Sequence, residues 1–130
     1  MEEERSAVIK ISGEEFTLVL TTRATKEIGK RYGGIENLGE KLMQSDNFEL
    51  ALDEISWLIT LLANQSILIH NLRNKDAQRP LITEEEIELL TTPLELSEYK
   101  DAILTAMFKG MKRNVESEES KNMGAGEQPA

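Results

Sequence analysis

The sequence predicts an α+β, mainly α domain. In it, an N-terminal β-hairpin packs on a bundle of about four to five helices with one long central helix, followed by a disordered acidic C-terminal tail. Three observations carry this expectation. Two short β-type runs, Ala7 to Ile11 and Phe16 to Leu20, lie close together near the start. From Ile55 to Leu72 no residue carries a formal charge unless His70 is protonated, the pattern of a buried helix. The remainder is punctuated by helix caps. A length of 130 residues suits one domain, and 39% apolar residues can fill one core. Residues 1–6 are expected as an acidic arm, 7–114 as the folded domain and 115–130 as the tail.

Between the two strand runs, Ser12-Gly13-Glu14-Glu15 supplies a turn, because Gly13 takes positive φ at little cost. An isolated hairpin is barely stable in water, so one of its faces must lie on something else. A helix is expected from about Thr22 to Tyr32, capped by a threonine hydroxyl and stopped by Gly33-Gly34. A shorter one follows from Ile35 to Gln44, weakened by Gly39. Ser45, Asp46 and Asn47 offer caps for the longest helix, Phe48 to about Leu72. Arg73 to Pro80 is a polar turn region. Thr83 with Glu86 makes a capping box for Glu84 to Leu90. Thr92, Pro93 and Glu95 repeat that logic, with Ser97 as a competing cap for a last helix placed from about Ser97 to Arg113. Beyond Asn114 there is little to bury, which predicts disorder.

The long helix is apolar on two sides. One stripe is Phe48, Leu52, Ile55, Ile59, Leu62 and Ile69; a second is Leu50, Trp57, Leu61, Leu68 and Leu72. Asp53, Ser56, Thr60 and Asn71 share a narrower polar side. Two apolar sides need two covering layers. In the plainer reading the hairpin covers one stripe and the other helices cover the second. In the sharper reading part of the second stripe, around Trp57, Leu61 and Leu68, is left for another subunit or a client. The last helix offers a second broad apolar side of Ile103, Leu104, Met107, Phe108 and Met111, where methionine serves either core filling or an adaptable contact. Trp57, Leu61, Leu68, Met107, Phe108 and Met111 are therefore the candidate partner-binding residues. Asn64-Gln65-Ser66 at the midpoint of the long helix, with His70 and Asn71 near its end, argues against a membrane span.

Charge and composition exclude several classes of function. With 15 basic and 24 acidic residues the net charge is −9, which disfavours nucleic acid and anionic membranes as partners. The absence of cysteine and a single histidine rule out thiolate and multi-histidine metal sites, so no cofactor or metal is expected. No enzyme is expected either: there is no phosphate loop, calcium loop, nucleophile elbow or opposed carboxylate pair. Glu84, Glu85, Glu86 and Glu88 suit a helix start better than a cation site. Asn64-Gln65-Ser66 matches a glycosylation sequon by chance, in mid-helix. The acidic start lacks the bases of a secretory signal, and the expected setting is intracellular.

The run Ile11-Ser12-Gly13-Glu14-Glu15-Phe16-Thr17-Leu18-Val19-Leu20-Thr21-Thr22-Arg23-Ala24, then Glu27-Ile28 and Tyr32-Gly33-Gly34-Ile35-Glu36-Asn37, resembles the start of phage tail assembly chaperones. The likeness continues through the long helix, the Thr83 to Leu90 segment and Pro93-Leu94-Glu95-Leu96 to Lys112, covering about residues 7 to 114 as an element order. The resemblance implies a non-enzymatic role in tail morphogenesis of long-tailed phages or prophages. Such a chaperone binds the tape measure protein and major tail tube subunits in the host cytoplasm. It self-associates and is absent from the mature virion. In many relatives a frameshift adds a second domain to some chains. A different class, a small acidic regulator that binds a nucleic-acid-binding protein, is the alternative the charge suggests.

Overall fold

The computed structural model describes residues 6–44 and 48–124. Its elements run β1 (Ser6–Ile11), β2 (Glu14–Val19), α1 (Thr22–Tyr32), α2 (Ile35–Gln44), α3 (Phe48–Arg73), α4 (Glu84–Leu90) and α5 (Pro93–Gly124). The fold is mainly helical with an N-terminal antiparallel hairpin and one long central helix, as the sequence predicts.

The hairpin turn is tighter than the four residues the composition suggests. Ser12 and Gly13 both adopt positive φ, 51° and 83°. That pair of angles closes a two-residue hairpin whose twist matches the strands. Glu14 and Glu15 therefore join β2, and Ile9 pairs with Phe16 and Ala7 with Leu18. This register puts Ala7, Ile9, Ile11, Phe16 and Leu18 on one face, while Val8, exposed, and Val19, buried, fall on the other.

Helix α1 begins as expected. Thr21 accepts a hydrogen bond from the Ala24 amide at 3.0 Å, and Gly33 ends the helix in the left-handed region. The Thr83–Glu86 capping box opens α4 with both reciprocal bonds in place. At α5 the Thr92–Glu95 pair prevails over Ser97. Glu95 accepts from the Thr92 amide at 2.9 Å and Thr92 Oγ1 accepts from the Glu95 amide at 3.3 Å. The helix thus starts at Pro93, one turn before the expected Ser97.

Its far end differs too. Helical backbone continues to Gly124, past the expected helix end near Arg113. Between Gly110 and Gly124 there is no glycine or proline, and Glu, Lys and Met hold a helix at little entropic cost. Residues 125–130 of the expected tail and residues 1–5 of the expected arm lie outside the described residues.

The hairpin lies between two helices: α3 packs on β2, α5 packs on β1, and the two helices meet. Leu18, Ile28, Leu58, Ile59, Leu62 and Ile103 are wholly buried in the shared core. Each such side chain contributes about 2 kcal/mol on leaving water. The segment Leu52–Arg73 is long and apolar enough to cross a membrane. Here its side chains Leu58, Ile59 and Leu62 form the centre of the core.

Candidate partner-binding surface

The two sides of α3 that face away from the hairpin are finished differently. On the α1 side, the buried carboxylate of Glu54, 7% exposed, gathers the end of α1. Arg31 donates to it twice, Nε to Oε1 at 3.2 Å and Nη2 to Oε2 at 3.5 Å, and the Tyr32 hydroxyl donates to Oε1 as well. The Arg31 guanidinium stacks 4.4 Å from the centre of the Trp57 ring. Tyr32 meets Trp57 edge-on at 6.0 Å and 75°.

Burial alone pushes the Glu54 carboxyl up. The hydrogen bonds from Tyr32 and Arg31, then the charges of Arg31 and Lys41, outweigh it and hold the group below its ordinary value. Burial, then the bond to Glu54, raises the Tyr32 phenol well above its ordinary value. Trp57 is thus half-buried beneath its own chain, held by a cation and an aromatic edge.

On the other side a strap of irregular chain, residues 74–83, runs back along α3. Two asparagines stitch it down. Asn64 donates to the Ile82 carbonyl at 2.9 Å and accepts from the Ile82 amide at 2.8 Å. Asn71, two turns on, does the same for Arg79 at 3.0 and 2.8 Å. A side-chain amide carries a donor and an acceptor side by side, so it mimics a strand neighbour. His70 Nε2 lies 2.9 Å from the Ala77 carbonyl oxygen, closing the start of the strap. Gln65, almost fully buried, accepts from the Thr21 hydroxyl and donates to the Leu61 carbonyl at 3.2 Å. The mid-helix polar group that argues against a membrane span is therefore what fastens the strap and α1 to α3.

The candidate residues do not form one surface. Met107, 4% exposed, belongs to the core and not to a partner surface. Ile103, Ala106 and Met107 fall on the α5 face turned toward the interior, one turn apart in the helix. Trp57, Leu61 and Leu68 are half-buried, the first two packed against the core. The side chains of Phe108 and Met111, like those of Phe48 and Leu50, lie outside the described residues.

The exposed apolar side chains are elsewhere. Leu72 at the end of α3 is 70% exposed, and Leu89 and Leu94, on either side of the α4–α5 joint, are 76% and 71% exposed. Leu81 on the strap and Leu90 at the end of α4 are half-exposed and line a groove of about 410 Å³. Only Leu72 of this set lies on either of the stripes read from the sequence. The signal was weak for both: Leu89 lies in a seven-residue helix too brief to show periodicity, and Leu94 lies in the first turn of α5 beside its cap. Among the described residues no group of three or more His, Cys, Asp or Glu side chains is placed to hold a metal ion. The chain matches no protein-family model, no curated protein and no solved structure.

Proposed function

We propose that this protein is a non-enzymatic phage tail assembly chaperone. It shields apolar helical stretches of the tape measure protein in the host cytoplasm, brings major tail tube subunits to them, and leaves before the virion is complete. The single observation that supports this reading is surplus apolar surface on a folded acidic domain: Leu72, Leu89 and Leu94 stand out in solvent while the core is already full. The order of elements from the hairpin to α5, which resembles that family, supports it as well.

The physics of the role is simple. A long helical client exposes apolar stripes before its tube exists, and those stripes aggregate unless covered. Exposed leucines on either side of the α4–α5 joint offer apolar area that such stripes can cover. Individually weak contacts, repeated by many copies along the client, hold the coat until tube subunits compete. A net charge of −9 keeps the coated complex soluble by repulsion. Self-association along the client follows from the same multivalency.

The test is co-expression with a tape measure protein. Wild-type protein should keep the client soluble and co-purify with it, and the double variant Leu89→Glu with Leu94→Glu should lose the client while its circular dichroism stays helical. Retention of the client by that variant overturns the assignment of the surface. A client that precipitates equally with and without wild-type protein overturns the function.

A further inference from the structure

The two outer edges of the hairpin are treated differently. In the ladder set by Ile11 opposite Glu14, the inward hydrogen-bonding residues are Ala7, Ile9 and Ile11 on β1 and Glu14, Phe16 and Leu18 on β2. The outward groups belong to Ser6, Val8 and Lys10 on one side and to Glu15, Thr17 and Val19 on the other. Helix α5 blunts the β1 edge: Tyr99 donates to the Lys10 carbonyl at 2.6 Å and Lys109 to the Ser6 carbonyl at 3.2 Å. Among the described residues no hydrogen bond reaches the outward backbone groups of Glu15 or Thr17. An uncapped strand edge is a template for another strand.

This open edge borders the groove of about 410 Å³. The groove floor is α3, through Ala63 and Ile67, and its far wall is the strap, through Pro80 and Leu81. Its charged groups are Glu14, Glu15 and Glu86 against the one guanidinium of Arg79. Strand edge, apolar floor and acidic rim coincide.

We infer that β2 accepts an extended, basic peptide segment as a third strand, seated between β2 and the strap. Its main chain bonds to Glu15 and Thr17. Its apolar side chains alternate inward onto Ala63 and Ile67, and its lysines or arginines face Glu14, Glu15 and Glu86. The site is separate from Leu89 and Leu94 and does not depend on the chaperone reading.

The probe is a synthetic ten-residue peptide alternating valine and lysine, with a leucine–lysine peptide of helical spacing as control. Amide hydrogen exchange is followed by NMR on the full chain. The alternating peptide should slow exchange of the Glu15 and Thr17 amides at least about tenfold, and the helical control should leave them unchanged. Thr17→Pro removes an outward N–H and no ladder bond, so it should abolish that protection while the hairpin persists. If Thr17→Pro unfolds the domain, Glu14→Lys with Glu15→Lys provides the second reading and should weaken binding at least about tenfold. Unchanged exchange at Glu15 and Thr17, equal protection by the helical control, or wild-type binding by the double lysine variant overturns the inference. So does protection that rises with protein concentration in the absence of peptide, which would make a second copy the occupant.

Discussion

Both flanks of α3 are held by polar side chains, with different outcomes. On the α1 flank, one carboxylate collects a guanidinium, a phenol and, through them, an indole, and the surface closes. On the strap flank, two asparagines each hold one residue of irregular chain, and the surface stays grooved. A charged hub with aromatic cover seals; a pair of neutral clasps positions without sealing. The difference explains why Trp57 is satisfied within its own chain, whereas Leu81, Leu90 and their neighbours retain apolar area to share.

Glu54→Ala should do most to break this contrast. It strands Tyr32 and Arg31 beside Trp57, and the loss should be about 2–3 kcal/mol in urea unfolding. The pH dependence separates the charge from the packing. Because the folded Glu54 carboxyl lies below its unfolded value, its contribution is present above about pH 4.3 and is lost as pH falls through the folded value. Tyr32 is raised, so its contribution holds below about pH 10 and is lost as pH rises through the folded value. Glu54→Gln should flatten the acid side of the stability profile; an unaltered acid limb would remove Glu54 from that role.

Asn64→Ala comes next. It frees the Ile82 amide and carbonyl, partly shielded at the groove, and should cost about 1–2 kcal/mol with faster exchange of the Ile82 amide. Asn71→Ala acts at an exposed clasp and should cost about 0.5–1 kcal/mol. If Asn71→Ala proves the more damaging, the strap is anchored from its other end. Leu89→Ser and Leu94→Ser should change stability least, within about 0.5 kcal/mol, since neither leaves a cavity.

Elements were legible where chemistry is local. Gly33, the Thr83–Glu86 box and the β-type runs each act within a few residues, so they show in sequence. The start of α5 was ambiguous because Thr92 and Ser97 are both competent caps, and only the Thr92–Glu95 pair is reciprocal. The two-sided apolar character of α3 was readable, and so in outline was its cover, the hairpin together with other helices; the clasps that fix the strap were not. Asn64 and Asn71 read as polar interruptions, and their partners, Ile82 and Arg79, are supplied by chain folding back from beyond the helix. Met107 read either as core filling or as an adaptable contact, because periodicity gives a face but not its direction; contact of α5 with β1 and α3 turns that face inward. Helical continuation past Arg113 was hidden by polarity, which forbids burial but not helix.

Trp57, the single tryptophan, gives a direct measurement of the division between the flanks. Carbene footprinting with and without a tape measure protein, the proposed client, read beside tryptophan emission, reports both flanks in one sample. Labelling at Leu89 and Leu94 should fall severalfold on binding while Trp57 emission stays fixed. A shifted Trp57 emission with undiminished labelling of those leucines would contradict the account.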